Sequence, residues 1–396
     1  MSDSLVRKLN WSVVSTVICC CIIFIYYALY KKGKRLHFED YIICFLLVVI
    51  SSLRYGVGSD YFRYLEGAAR WVRLFDSDVK SLFTDNVLQR YSFEIGYKIL
   101  SVISHRISES PYMVFWLVSF VIYIPLIIYC RKNIRDSRIA VAVYLLFGYW
   151  DISLNVIGQS VAMILMLIAN KAMDDKKYIV SVLLIICAVT FHTTAIVAAV
   201  LILLSKTPFF KRFLEPTRGN LIKMVVIGIA MRFATGLFGN ILSRSSIFAS
   251  YTRYLSTGVS DIVARRYTMI GTFIEGILVL MFLYMAIKKL ENDSMRDKKL
   301  SNVSSMIMIG IPFNIVGISR SDWMWLSNRF AEYFFIFLIV LIPEIIINSE
   351  TDTKRGVIAI SNKYIPFWLT MIFWHAIFAI VMFNNNHFVI DTYLFK

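Results

Sequence analysis

The sequence predicts an all-α, polytopic helical membrane protein with about 12 spans. Of its 396 residues, 58% are hydrophobic and 15% are aromatic, and the mean hydropathy is +0.66. Soluble domains are only about half apolar. Apolar runs recur between short basic loops, and a bilayer core about 30 Å thick needs roughly 20 apolar residues per helix. Because no internal repeat and no soluble domain is visible, residues 1–396 are expected to form a single membrane domain.

The spans follow from the apolar runs and their breaks, read in order. They are predicted near residues 11–30, 41–53, 112–130, 139–153, 156–170, 178–191, 193–205, 221–242, 268–287, 300–318, 331–347 and 364–383. Several runs are short, so about 11 to 13 spans fit the pattern. The first run is followed by KKGKR rather than by a small-residue cleavage site, and it is expected to remain as a span.

Residues 54–111 form a long mixed segment between the second and third spans. Aromatic and aliphatic residues alternate there with Arg, Asp and Lys, which predicts amphipathic helices lying on the membrane surface. The stretch from Phe93 to Ile107 is too short and too polar to span, so it is predicted to be a half-buried helix.

The basic residues of the short loops predict the orientation, because cytoplasmic loops carry more Lys and Arg. The loops assigned to the cytoplasm hold 23 basic residues and are 31–40, 131–138, 171–177, 206–220, 288–299 and 348–363. Segments 54–111, 243–267 and 319–329 and both termini are then external. The net charge of +16 suits anionic lipids and anionic substrates. Nucleic acid is not an expected partner of a chain without a soluble domain.

The two predicted faces differ in the type of basic residue. Lys supplies 15 of the 23 cytoplasmic basic residues, whereas Arg supplies 13 of the 17 external ones. Arg offers a planar fork that binds phosphate or carboxylate through two hydrogen bonds. The external face therefore looks suited to oxyanions, although single arginines also pair with acidic residues or reach lipid headgroups.

Motifs for metals and nucleotides are missing from the sequence. It contains no HExxH, no CxxC and no Walker-type glycine loop. All six cysteines fall inside or at the end of predicted spans, so no disulfide framework is expected. No metal and no cofactor is therefore predicted.

His192 is the clearest polar residue at an outer end of the spans. It lies in TFHTTA between apolar runs of 14 and 13 residues, which predict a hairpin with its turn outside. A histidine there can act as a base or bind a phosphate. A capping histidine bonded to a backbone carbonyl is the alternative.

Three further external segments carry the same polar chemistry. The turn WDISLNVIGQS at 150–160 offers Asp151, Asn155 and Gln159, and Asp151 also fits a helix cap. Arginines and aromatic residues recur in segments 243–267 and 319–329, where tyrosine and tryptophan also fit an interfacial aromatic belt. The candidate binding residues of these two segments are Arg253, Arg265, Arg266, Arg320 and Asp322.

The stretch RYGVGSDYFRY at 54–64 places Arg54, Asp60 and Arg63 among four aromatic residues. It resembles the first external loop of EpsG-type polysaccharide polymerases, relatives of the Wzy O-antigen polymerases. Four other segments resemble further motifs of that family, in order, over about 280 residues: FEIGYKIL at 93–100, GQSVAMILM at 158–166, FHTTAIV at 191–197 and NRFAEYF at 328–334. The family's Arg before Gln is replaced by Gly158, so either a neighbour such as Arg253 or Arg265 supplies that charge or the charge is not essential.

The resemblance implies a glycosyltransferase of the GT-C-like membrane class at the periplasmic face of the bacterial inner membrane. It would move a growing glycan, such as O-antigen for lipopolysaccharide, from undecaprenyl diphosphate onto a lipid-linked repeat unit, without a metal. A chain-length co-polymerase and membrane lipids are its implied partners. The implied catalytic residues are Arg54, Asp60, His192 and Arg329. The implied substrate-binding residues are Tyr61, Arg63, Glu94, Gln159, Arg253, Arg265, Arg266, Arg320 and Asp322.

Three other functions use similar chains. A lipid-linked oligosaccharide flippase or other transporter is expected to carry its charges at the midplane between repeated halves. An O-antigen ligase shares the donor but commonly has a large late periplasmic loop, and the loops after residue 268 are short. A membrane O-acyltransferase would use a histidine, but no partner motif accompanies His192.

Overall fold

The computed structural model describes residues 9–31, 33–58, 60–75, 94–234, 262–292, 297–318, 324–347, 365–383 and 387–388. The described residues of the first half contain α1 (Trp11–Leu29), α2 (Phe38–Leu53), α3 (Tyr61–Phe75), α4 (Ile95–Ile107), α5 (Met113–Asn133), α6 (Ser137–Leu146), α7 (Tyr149–Asn155), α8 (Ile157–Asp174) and α9 (Tyr178–Phe191). The second half contains α10 (Ala195–Ser205), α11 (Pro208–Phe213), α12 (Arg218–Phe233), α13 (Ile262–Asn292), α14 (Lys298–Gly317), α15 (Met324–Phe335), α16 (Leu338–Ile346) and α17 (Ile365–Phe383). Two-residue strands, Leu9–Asn10 and His387–Phe388, pair antiparallel.

The long apolar helices identify a membrane protein. Within the described residues, three segments are long and apolar enough to cross a bilayer: Met113–Asn133, Met269–Asn292 and Lys298–Gly317. The bent pair α6 and α7 passes the same test together. Shorter apolar helices cover Val13–Leu29, Tyr178–Phe191, Ala195–Ser205 and Trp368–Ile380. The helical membrane class is thus confirmed, whereas the number of 12 spans and the GT-C-like arrangement stay predictions.

Two predicted spans are broken in the structure. The run 139–153 forms α6 and α7, which are bent by 54° at a break containing Gly148. Gly148 has φ +90, and a Cβ there would overlap the ring of Phe378, so this position requires glycine. The run 331–347 is likewise divided between α15 and α16. Continuous hydropathy hides both breaks, because the residues on either side are equally apolar.

The chain forms two compact units. Unit 1 contains residues 1–168, 182–192 and 356–396, and unit 2 contains residues 169–181 and 193–355. A single membrane domain over residues 1–396 stays a prediction.

A polar network fixes the core of unit 1. Asp151 is fully buried and accepts hydrogen bonds from Trp11 Nε1 at 3.2 Å and Ser15 Oγ at 2.8 Å. His375 Nε2 lies 3.7 Å from the other carboxylate oxygen of Asp151. The network joins α1, α7 and α17. Asp151 was predicted to lie in an external turn or to cap a helix. Its side chain instead bonds within the packed interior of unit 1.

A buried ion cluster closes one end of unit 1. Arg131 at the end of α5 lies 3.3 Å from both Glu39 and Asp40 at the start of α2. Its guanidinium also donates to the backbone carbonyls of Lys31 and Arg35. The loops 31–40 and 131–138, which were both predicted to be cytoplasmic, therefore meet at the same end of the unit.

Basic loops also meet in unit 2. Lys206 pairs with Asp174 at 2.7 Å, and Arg218 pairs with Glu291 at 2.7 Å. These contacts join the loops 171–177, 206–220 and 288–299. Their common end agrees with the prediction that they share one side of the membrane, while the identity of that side stays a prediction.

Replacing Arg131 by Gln is expected to destabilise the protein by about 3–5 kcal/mol, because two carboxylates would remain buried without their cation. The neighbouring Lys132 is exposed, so Lys132→Gln is the matched control, with an expected change within about 0.5 kcal/mol. Thermal unfolding of the purified protein in detergent measures both. Equal melting of the two variants would contradict the role of this ion cluster.

Candidate functional site

The ends of six helices meet at the end of unit 1 opposite the Arg131 cluster. The cluster contacts the first turn of α2, whereas Arg54 follows the last turn of the same 16-residue helix. The other five helix ends are the C-termini of α7 and α9 and the N-termini of α3, α4 and α8. We call this region the helix-end site.

Arg54 fastens two of these helix ends to each other. Its guanidinium is buried and donates to the carbonyl of Ser51 in the last turn of α2 and to the carbonyl of Leu154 in the last turn of α7, the latter at 3.0 Å. Terminal carbonyls have no partner within their own helix and lie at the negative end of the helix dipole. The guanidinium satisfies both requirements.

The surroundings of Arg54 are aromatic. The guanidinium carbon lies 4.6 Å from the ring centre of Phe115 and 5.6 Å from that of Tyr61. Burial lowers the pKa of Arg54 to about 10, so the group stays a cation at neutral pH. No carboxylate pairs with it among the residues that the structure describes. Its hydrogen bonds to carbonyls and its contacts with aromatic faces hold the charge instead.

The start of α3 is tied to the end of α7. The backbone N–H of Asp60 donates to Asn155 Oδ1 at 3.2 Å. Tyr61 is buried and stacks on Phe115, with ring centres 4.9 Å apart. Asp60 and Arg63 are both half-buried, so their side chains are partly accessible at this end of the unit.

The next contact joins α3 to α4. The rings of Tyr64 and Tyr97 lie 5.0 Å apart, and Tyr97 Oη donates to the carbonyl of Tyr64 at 2.9 Å. This places Glu94, which directly precedes α4, beside the α3 segment. The helix found at Ile95–Ile107 agrees with the amphipathic helix predicted over 93–107.

His192 and Glu94 form a direct pair. His192 Nδ1 lies 2.8 Å from Glu94 Oε1. His192 is 6% exposed, whereas the Glu94 side chain is 24% exposed, so the pair lies at the border of the packed interior. The predicted alternative for His192 was a cap on a backbone carbonyl, and the structure gives it this carboxylate partner. Such a pair holds an imidazole ring in one orientation.

The start of α8 packs on the residue before His192. Gly158 approaches Phe191 so closely that a Cβ at position 158 would lie 2.5 Å from the carbonyl oxygen of Phe191. Gln159 follows in the same turn of α8 and is 2% exposed. One connected set of contacts therefore joins the segments 54–64 and 150–160 with Glu94 and His192. All of them were predicted to share one face.

The remaining predicted site residues lie elsewhere or outside the described part. Arg253, Arg320 and Asp322 lie outside the described residues, and the side chains of Arg265 and Arg266 do too, although α13 includes their backbone. Arg329 lies in unit 2 on α15 and is half-buried. One turn further along α15, Tyr333 contacts Thr194 through their hydroxyl groups at 3.2 Å.

Sequence reasoning missed the residues that hold the site together. Asn155 was noted only as a polar turn residue, and the packing roles of Gly96, Gly158 and Phe191 were not predicted. A close approach of glycine to a distant residue leaves no periodic signal. The one available signal was the glycine at 158, where the resemblance leads one to expect arginine.

In the residues that the structure describes, no group of three or more His, Cys, Asp and Glu side chains could hold a metal ion. The His192–Glu94 pair, at 2.8 Å, has the geometry for proton transfer and hydrogen bonding.

Comparison with known protein families identifies a family for this chain. A model of the EpsG family matches residues 39–393, which include α2 from its second residue onward and all of α3 through α17. No curated protein and no solved structure matches the chain. Because the match covers nearly the whole sequence, the chain belongs to the EpsG family.

Proposed function

We propose that the protein is a polysaccharide polymerase, a glycosyltransferase that moves a growing glycan from undecaprenyl diphosphate onto a lipid-linked repeat unit. Membership of the EpsG family supports a polysaccharide-polymerase-like membrane protein in general. The observation that carries the finer proposal is the His192–Glu94 pair, at 2.8 Å, within the helix-end site. The acceptor hydroxyl must lose a proton in this reaction. A histidine held by a carboxylate has the geometry of a base that can accept that proton.

His192 is the proposed general base. Glu94 bonds to Nδ1 and fixes the ring, so Nε2 is the atom assigned to the acceptor hydroxyl. The acceptor hydroxyl gives its proton to Nε2 while its oxygen bonds to the anomeric carbon of the donor. The bond from that carbon to the diphosphate oxygen breaks, and undecaprenyl diphosphate leaves with the electron pair. Asp60, the other candidate base, has a half-buried side chain and is assigned to sugar binding.

Stabilising the departing diphosphate is the natural task of arginine, because the leaving group gains negative charge in the transition state. Arg63 is assigned to this task in unit 1, since it is half-buried rather than enclosed. The assignment of Arg329 rests on its family motif. The further proposed ligands of diphosphate and sugar are Tyr61, Gln159, Arg253, Arg265, Arg266, Arg320 and Asp322. A metal is not needed if these cations supply the charge.

Arg54 is assigned to organisation of the site rather than to phosphate. Its guanidinium donates to two helix-end carbonyls and is enclosed by aromatic rings. A diphosphate would have to displace these contacts to reach it. We therefore class Arg54 as a positioning residue.

The proposed setting is the bacterial inner membrane, with the helix-end site facing the periplasm and both termini on that side. The product is O-antigen or another surface polysaccharide, and a chain-length co-polymerase is the proposed protein partner. The basic loops 31–40 and 131–138 meet at the end of unit 1 opposite the helix-end site, which supports that orientation.

The His192–Glu94 assignment predicts the effects of single substitutions on polymer length. His192→Gln is expected to abolish polymerisation, whereas Glu94→Gln, which removes only the orienting charge, should reduce it by about 10- to 100-fold. Asp60→Asn, which changes a residue assigned to sugar binding and not the base, should shorten the products without abolishing polymerisation. Glycan ladders are measured in a strain that lacks the native enzyme, with membrane protein levels checked in parallel.

His105→Gln is the matched control, because His105 lies on α4 outside the pair and should leave the ladder unchanged. Full-length ladders from His192→Gln would refute the proposal. Loss of the gene also separates the functional classes. Loss of a polymerase leaves lipid cores capped with one repeat, loss of a ligase leaves bare cores, and loss of a flippase stops export.

Arg54→Lys is expected to lower the stability of the protein by about 1–3 kcal/mol, because an ammonium group cannot bond both carbonyls in the same geometry or stack on Phe115. Arg63→Lys is the control and should keep stability while shortening the polymer. Thermal unfolding and glycan ladders are measured for both variants. An Arg54→Lys protein with unchanged stability and no polymer would show instead that Arg54 acts on the substrate.

A further inference from the structure

Phe191, the residue before His192, is enclosed by two glycines from distant parts of the chain. Gly96 lies in the first turn of α4, two residues after Glu94, and Gly158 lies in the first turn of α8. We propose that Gly96 and Gly158 are positioning residues that clamp Phe191 and thereby hold His192 against Glu94. The inference rests on the proposed function in that it assigns these glycines a part in catalysis.

Gly96 contacts the side chain of Phe191. A Cβ at position 96 would lie 2.9 Å from Cγ of the ring and 3.0 Å from both Cδ atoms. These are the ring atoms nearest the backbone, so the side chain cannot escape the added methyl group by a small rotation at its tip. The absence of a Cβ at Gly96 thus lets α4 approach α9 closely. The same approach brings Glu94 within hydrogen-bonding distance of His192.

Gly158 contacts the backbone of Phe191. A Cβ at position 158 would lie 2.5 Å from the carbonyl oxygen of Phe191 and 3.6 Å from its carbonyl carbon. A backbone oxygen cannot move without moving the turn that contains it. Any side chain at position 158 must therefore displace either α8 or the end of α9. In this chain Gly158 therefore occupies, without a clash, a position where the family resemblance leads one to expect arginine.

Displacement of Phe191 reaches His192 directly. Phe191 is the last residue of α9, and the N–H of His192 still bonds to the carbonyl of Ala188 at 3.0 Å. The two residues therefore move with the same helical turn. A shift of about 1 Å in a catalytic group costs on the order of 100-fold in rate. Gly96 therefore limits the position of the Phe191 ring, and Gly158 limits the position of its backbone carbonyl.

Gly96 contacts the side chain of Phe191, whereas Gly158 contacts its backbone. Substitutions at residue 191 can therefore distinguish the two contacts. Gly96→Ala and Gly158→Ala are each made alone and combined with Phe191→Ala, in the full-length protein. Gly219→Ala is the matched control, because a Cβ at Gly219 meets no atom within 4 Å. Three quantities are measured: glycan ladder length, thermal stability, and the rate at which diethyl pyrocarbonate acylates His192, determined by mass spectrometry of the purified protein.

Both glycine variants are expected to lower polymerisation by about 10- to 100-fold and to raise the acylation rate of His192 several-fold. Phe191→Ala removes the Cγ and Cδ atoms that the methyl group at position 96 would strike, so adding Gly96→Ala to Phe191→Ala should change neither measurement further. Adding Gly158→Ala to Phe191→Ala should still lower polymerisation and raise acylation, because that clash is with the backbone carbonyl of residue 191. Phe191→Ala alone loosens the clamp without adding an atom, and it should raise acylation even if Gly158→Ala does not fold.

Unchanged acylation in Gly96→Ala and Phe191→Ala would overturn the clamp, as would equal effects of the two glycine substitutions in the Phe191→Ala protein. The acylation rate does not depend on polymerase activity. A His192→Gln protein that still makes full-length polymer would therefore refute the proposed function while leaving the clamp to be decided by acylation.

Discussion

The helix-end site of unit 1 depends on one buried cation. Arg54 bonds to carbonyls in the last turns of α2 and α7, two helix ends that would otherwise leave backbone acceptors unsatisfied inside the membrane domain. Its contact with Phe115 and Tyr61 keeps the charge in an aromatic enclosure. Because α7 is thereby anchored to α2, Asn155 can accept from Asp60 and α8 can begin immediately beyond it. The chemistry proposed for this region requires that arrangement.

Broken helices are the means by which the fold brings polar groups to one place. α6 and α7 divide at Gly148, α7 and α8 divide after Asn155, and α9 ends at Phe191 beside His192. In an apolar solvent such breaks are tolerated only where the backbone is satisfied within the protein or lines a cavity. Each of these breaks positions a residue of the helix-end site or of the polar network around Asp151. The Arg131 cluster at the opposite end of α2 uses ion pairs for the same structural purpose.

Much of this could be predicted from the sequence, because hydropathy, loop charge and ordered motifs are local signals. The helices near 11–30, 112–130, 178–191 and 300–318 were placed closely, and Glu94 and His192 were both selected as site residues. Their pairing could not be predicted, since it depends on how α4 meets α9 through Gly96 and Phe191. The break at Gly148 was hidden by uniform hydropathy, and the burial of Asp151 depends on α1 and α17. Arg54 was predicted to be a catalytic residue, and its bonds to two carbonyls favour a positioning role instead.

The most direct test of the central claim is a cryo-electron microscopy structure of the protein in nanodiscs with a bound undecaprenyl-diphosphate-linked repeat unit. We expect a sugar hydroxyl of the acceptor within hydrogen-bonding distance of His192 Nε2, with Glu94 still bonded to Nδ1. Arg54 should keep its two carbonyl partners and make no contact with phosphate. A lipid diphosphate bound against Arg54, with no part of either sugar near His192, would contradict the account.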